Sequence, residues 1–140
     1  MPNPCWNAGV AVSSTKVLIV DDDAESRNLL REVLEANGYA ADAVGDGVAA
    51  REALGRDDAY RIVIADLRMP KEGGLELLRN LHQQKSQCGI ILMSSFISGP
   101  ERKLAKQLGA QALLEKPFKL SELLEAVAGL IAQKPLAITS

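Results

Sequence analysis

The sequence predicts one α/β domain, a doubly wound five-stranded parallel sheet with helices on both faces. Three observations predict it. Short β-branched apolar runs recur, each too short for a helix and suited to a strand buried on both faces. Segments with helical apolar spacing lie between these runs. Polar residues end each run abruptly. A length of 140 residues suits one domain and is too little for two comfortable ones.

Residues 1–15 read as an N-terminal arm, with prolines, small residues and no sustained periodicity; Trp6 and Val10 are its packing candidates. Lys16 to Val20 is the first strand, stopped by Asp21, Asp22 and Asp23. A helix follows, with Leu29, Leu30, Val33, Leu34 and Ala36 on its apolar stripe and Asn37-Gly38 as its stop. Tyr39 to Val44 is a weaker second strand, and Val48 to Leu54 an alanine-rich second helix. Arg61 to Ala65 is the third strand, with Asp66 at its C-terminal end. Beyond a loop from Met69 to Gly74, Leu75, Leu77, Leu78 and Leu81 mark the third helix. Gly89 to Met93 is the fourth strand, closed by Ser94-Ser95. Pro100 opens a fourth helix in its first turn and Gly109 ends it. Gln111 to Leu114 is a short fifth strand, broken by Glu115-Lys116-Pro117. Leu120, Leu123, Leu124, Val127, Leu130 and Ile131 form the stripe of a fifth helix, with Ser121 as N-cap and an end near Gln133. Residues 16–133 are therefore the domain, and 134–140 a C-terminal tail.

Composition narrows the functional classes. With 47% apolar residues, 24% charged residues and a net charge of −2, the chain lacks the basic surface of a nucleic-acid binder. No apolar run approaches the roughly eighteen residues of a membrane span, and the N-terminus lacks the pattern of a secretory signal. A cytoplasmic location is the expectation. Cys5 and Cys88 have no metal spacing and form no CxxC. Two reduced thiols are expected, and a single disulfide stays conceivable.

In an open α/β sheet, ligands bind beyond the carboxyl ends of the strands. Asp21 and Asp22 follow the first strand, Asp66 the third, Ser94 the fourth and Lys116 the fifth, so a parallel sheet brings all five to one edge. Each alone has a bland reading: acidic residues at strand ends often cap the next helix. Together they describe a chemistry. Carboxylates about 4 Å apart repel by about 4 kcal/mol per pair at an effective dielectric near 20. They protonate or hold a hard, oxygen-seeking cation, of which Mg²⁺ keeps positions open for phosphate oxygens. A lysine and a serine hydroxyl suit the other oxygens of a phosphoryl group, and a carboxylate can attack phosphorus to give an acyl phosphate.

With these residues in view, the chain resembles the receiver domains of two-component response regulators over about residues 16–133. The motifs are VLIVDDD (Val17 to Asp23), ADLRMP (Ala65 to Pro70), LMSS (Leu92 to Ser95) and EKPF (Glu115 to Phe118). The resemblance implies a flavodoxin-like fold with strand order 2-1-3-4-5. It implies Asp66 as phosphoacceptor, and Mg²⁺ held by Asp22, Asp66 and the backbone carbonyl of Arg68, with Asp21 acting through a metal-bound water. Ser94 would detect the phosphoryl group and Lys116 would pair with one of its oxygens. The Lys116-Pro117 bond is often cis in the family.

The chain departs from the family pattern in three places. Leu113 stands where an aromatic switch residue is common. Gly73-Gly74 replaces the usual Asp-Gly and is expected to loosen the turn. Arg68 and Phe96 border the path of an attacking water and are expected to set the phosphoryl lifetime.

The expected function is a signalling phosphoacceptor rather than an enzyme in the ordinary sense. Its partners would be a sensor histidine kinase or phosphotransfer protein and a downstream target or separate output domain. No membrane or nucleic-acid partner is expected, and a homodimer through the helix 4–strand 5–helix 5 face is conceivable. Two other readings stand beside it: a phosphorylation-independent interaction module, and a flavodoxin-like domain holding a flavin or nucleotide. Against the latter, the chain has no GxxxxGK and no GxGxxG. His82 reads as a surface residue.

Overall fold

A computed structural model describes residues 15–57 and 59–139, with side chains through 132. The elements run β1 (Lys16–Val20), α1 (Ala24–Ala36), β2 (Ala40–Val44), α2 (Gly47–Arg56), β3 (Tyr60–Asp66), α3 (Gly74–Gln83), β4 (Gly89–Ser94), α4 (Gly99–Gln107), β5 (Ala112–Glu115) and α5 (Leu120–Thr139). All strand pairings are parallel, in the order β2-β1-β3-β4-β5. The doubly wound fold and the strand order expected from the sequence are both present. The interior positions of β1 and β3 explain their unbroken apolar runs, since each is covered on both faces.

Alternation along the strands divides the core in two. Leu18, Val20, Val63, Ala65, Ile90 and Leu92 pack under α2, α3 and α4, with Ala50, Ala53, Leu77, Leu78, Leu81 and Ala105. Val17, Ile19, Ile62, Ile64, Ile91 and Met93 face α1 and α5, meeting Leu30, Leu34, Leu123, Val127 and Leu130. Leu113, opposite Leu92 in the ladder, packs against the first of these clusters.

Four local expectations need correction. Leu29 is half exposed and Ala36 is exposed, because α1 buries Leu30 and Leu34, four residues apart, and neither neighbour shares their direction. Ser121 lies inside α5 rather than capping it: the Lys119 carbonyl accepts from Glu122 and Leu123 N–H, and the Glu122 side chain accepts from Lys119 N–H at 2.8 Å. The α5 backbone continues past Gln133 to Thr139, so the internal proline does not end it. The side chains of the expected tail, and the arm with Trp6, Val10 and Cys5, lie outside the described residues.

The fourth correction concerns the turn before α3, which is packed rather than loose. Gly73 and Gly74 are buried, Gly74 N–H donates to Leu67 O at 3.0 Å, and Gly73 N–H donates to Glu76 Oε1 at 2.9 Å. A Cβ on Gly74 would stand 2.7 Å from Asp66 O, and one on Gly73 2.6 Å from Leu67 O. Glycine serves close approach here. Glu72, also buried, takes both Arg51 Nε and Nη2 at 2.8 Å and ties α2 to this loop.

The amino edge of the sheet carries a separate polar cluster. Tyr60 hydroxyl donates to Asp42 Oδ2 at 2.6 Å, and Lys16 bridges to Asp57 with its ammonium 4.8 Å from the Tyr60 ring centre. Burial, then the Asp42 hydrogen bond, pushes the Tyr60 phenol up to about 12.

Candidate functional site

The ends of β1, β3, β4 and β5 bring Asp21, Asp66, Ser94 and Lys116 to one edge of the sheet, with Asp22 beside them. Asp21 is the first residue past β1, held there by its N–H donating to Val44 O at 3.1 Å and by Arg27 Nη1 donating to its carbonyl at 2.8 Å. Its side chain is 1% exposed. Asp22 is exposed, and Asp23 is the helix cap, accepting from Ser26 N–H and hydroxyl. The aspartate run thus divides its labour: the capping reading holds for Asp23, while Asp21 faces the pocket.

Asp66 ends β3 and is buried. Its Oδ1 accepts from Arg68 N–H at 3.0 Å and its Oδ2 from Lys116 Nζ at 2.8 Å. Lys116 Nζ also lies 3.6 Å from Asp21 Oδ2. Burial works against the ammonium, but the Asp66 hydrogen bond and the charges of Asp66 and Asp21 outweigh it and raise the Lys116 pKa. The Lys116-Pro117 peptide is cis, and Lys116 N–H donates to Ser94 O at 2.7 Å, which fixes the lysine against the end of β4.

The acidic set has one unsatisfied member. Asp21 Oδ1 accepts from Asp23 N–H at 2.9 Å, while Asp21 Oδ2 is buried with no hydrogen-bond partner. Burial raises the Asp21 pKa; the Asp23 N–H and Lys116 lower it, and the charges of Asp66 and Asp22 push it up. One carboxylate oxygen from each of Asp21, Asp22 and Asp66 lies within 4.8 Å of the others. An orphaned buried oxygen beside two more carboxylates, with one ammonium shared between two of the three, is a donor set that suits a hard divalent cation.

Ser94 is 2% exposed. Its hydroxyl accepts from Arg68 Nη1 at 2.9 Å and from Phe96 N–H at 3.4 Å. Arg68 Nη1 also donates to Phe96 O at 2.6 Å, and Nη2 donates to both Glu101 oxygens at 2.8 and 2.9 Å. Glu101 in turn accepts from Ser98 N–H at the start of α4, which lowers its pKa, with the Arg68 hydrogen bond acting in the same direction. Phe96 itself is 61% exposed. Sequence reasoning found Arg68 but missed Glu101. Ser98-x-x-Glu101 is legible as a capping box, yet nothing in it announces a partner 33 residues away. His82 is exposed, as expected. Among the described residues, Asp21, Asp22 and Asp66 are the one group of three or more His, Cys, Asp or Glu side chains clustered closely enough for a metal.

Comparison with known proteins bears on this pocket. The family model of the response regulator receiver domain matches residues 17–128. The response regulator MprA of Mycobacterium leprae is 37% identical over 116 residues, which are 83% of this chain and 50% of that protein. The transcriptional regulatory protein CpxR of Escherichia coli is 35% identical over 116 residues, 83% of this chain and 49% of that protein. The chain thus spans about half the length of the curated relatives it matches. A response regulator receiver protein from Pseudomonas putida superposes with a TM-score of 0.79 at 32% identity, covering 83% of this chain and 97% of that one. The chemotaxis protein CheY4 of Vibrio cholerae gives 0.77 at 26% identity, covering 84% and 98%. Among the described residues, no helix is long and apolar enough to cross a membrane.

Proposed function

The chain belongs to the response regulator receiver domain family, and from that premise we propose that Asp66 accepts a phosphoryl group with Mg²⁺ held beside it. The observation that carries the proposal is Lys116 Nζ donating to Asp66 Oδ2 at 2.8 Å while Asp21 Oδ2 stays buried without a hydrogen-bond partner. Asp22, Asp66 and the Arg68 carbonyl would hold the cation directly, and Asp21 through a bound water. Bound there, Mg²⁺ supplies charge neutralisation for carboxylates and phosphoryl oxygens.

The remaining work falls to the chain's own residues. An Asp66 carboxylate oxygen attacks phosphorus, an O–P bond forms, and the bond to the donor's leaving group breaks with its electron pair. With a histidine kinase or phosphotransfer protein as donor, that leaving group is an imidazole nitrogen. Lys116 pairs with a phosphoryl oxygen, so catalysis is positioning and electrostatics. The Ser94 hydroxyl reports the new charge, and the equilibrium of the β4–α4 loop shifts toward an active form. The surface of α4, β5 and α5 would carry that change to a downstream target, an output domain or a second copy. Leu113 in place of an aromatic argues that packing of the β4–β5 edge, rather than a ring flip, carries the signal. The receiver unit is read as residues 16–133.

Incubation with Mg²⁺ and acetyl phosphate tests the reading. One phosphoryl group per chain is expected on the wild type and none on Asp66→Ala. Equal labelling of the two sinks the assignment and returns the chain to a phosphorylation-independent interaction module.

A further inference from the structure

We propose that Arg68 is a positioning residue that latches the Ser94 hydroxyl to the first turn of α4, and that negative charge arriving on Asp66 releases it. The inference rests on Asp66 being the phosphoacceptor and deepens that reading. A single residue here touches all three parties. The Arg68 N–H binds Asp66 Oδ1, Nη1 holds Ser94 Oγ and Phe96 O, and Nη2 grips both oxygens of Glu101. Glu101 is itself built into the α4 start: it accepts from Ser98 N–H at 3.0 Å, and its own N–H donates to Ser98 Oγ at 3.2 Å.

The arrangement stores a choice between partners. Arginine presents its donors in a planar fork that fits a carboxylate or a phosphoryl group equally well. While Asp66 is free, Glu101 is the anion facing Nη2. A phosphoryl group on Asp66 adds negative charge beside the same residue and competes for the guanidinium. Because Nη1 holds both the Ser94 hydroxyl and the Phe96 carbonyl, withdrawing the guanidinium frees the hydroxyl and the loop in one movement. The side chains of Arg68 and Glu101 are 50% and 26% exposed, so the pair is weak enough to be exchanged.

The test uses the whole chain with beryllium fluoride and Mg²⁺ as the phosphoryl mimic, on wild type, Arg68→Met, Glu101→Gln and the double variant. Amide hydrogen exchange over residues 96–102 is the readout, with the mimic's affinity measured by titration. In the wild type, exchange should quicken when the mimic binds. In Arg68→Met it should already be quick and gain nothing further, and the double variant should match it, whereas Glu101→Gln should still quicken on binding because Nη1 keeps its hold on Ser94 Oγ and Phe96 O until the mimic arrives. Glu101→Gln should bind the mimic about threefold more tightly, the worth of one exposed ion pair. A purely structural role predicts additivity, with the mimic adding the wild-type increment to every variant. That result, or an unchanged affinity in Glu101→Gln, overturns the latch alone. Failure of the wild type to bind the mimic overturns the phosphoacceptor reading and the latch with it.

Discussion

Lys116 Nζ donates to Asp66 Oδ2 at 2.8 Å, so the carboxylate expected to attack phosphorus is already paired with a cation drawn from the far end of the sheet. That ammonium plays two parts that oppose one another. It favours phosphoryl oxygens, and it repels a metal ion sharing the same carboxylates.

Replacing Lys116 by Met should separate these parts. Acetyl phosphate labelling should slow by about 10²-fold, as for the loss of one preorganised electrostatic donor. Mg²⁺ affinity should rise, by up to about tenfold, once the competing charge is gone. Isothermal titration and a labelling time course measure the two. A parallel fall in both would mean that the lysine acts by shaping the pocket.

Asp21→Asn should stabilise the metal-free protein at neutral pH by about 1 kcal/mol, at the low end of the cost of an unsatisfied buried polar group. The sign comes from linkage. The folded-state pKa of Asp21 is raised, so its ionised form weighs against folding. The wild type is favoured below the ordinary value of 3.8 and loses that stability as pH rises through the folded value. The variant's advantage should therefore grow as pH rises above about 4 in chelator. Millimolar Mg²⁺ should reverse the ranking, because only the wild type keeps the full acidic set. Urea titrations at several pH values, with and without Mg²⁺, decide it.

Gly74→Ala should cost about 1–3 kcal/mol, since its Cβ would meet Asp66 O at 2.7 Å and Leu67 Cα at 3.1 Å. Gly55→Ala, with nothing within 4 Å and in a helix, should be neutral or gain up to about 1 kcal/mol. Thermal melts of the two compare a steric glycine with a dispensable one.

Tyr60 governs the alkaline limb. Its folded pKa of about 12 lies above the ordinary 10.0, so the folded state keeps a proton that the unfolded chain gives up. The contribution is complete below pH 10 and disappears as pH climbs toward 12. Tyr60→Phe should lack this limb, losing only about 1 kcal/mol at neutral pH for the Asp42 hydrogen bond. Superimposable alkaline curves for the two proteins would refute it.

The architecture was legible because its signals are local. Runs such as Leu18-Ile19-Val20 and Ile62-Val63-Ile64 have one sensible use, and a parallel sheet then forces the residues at their carboxyl ends to a common edge. The convergence of Asp21, Asp66, Ser94 and Lys116 could be read from that rule alone. The features that escaped depend on side-chain direction or on distant partners. Leu29 and Leu30 look alike in sequence, and only the roll of α1 decides which is buried. The Gly73-Gly74 pair reads as freedom until β3 is known to pass beneath it. The pairing of Arg68 with Glu101 joins a loop to the first turn of α4, and no periodicity encodes it.

The outermost strands carry one more consequence. β2 is alanine-rich and bears the exposed Asp42 at its midpoint, while β5 is four residues long and finishes on the exposed Glu115. A neighbouring molecule trying to extend the sheet from either margin meets a short ledge carrying a carboxylate, and like would face like. Such margins are poor templates for a further strand.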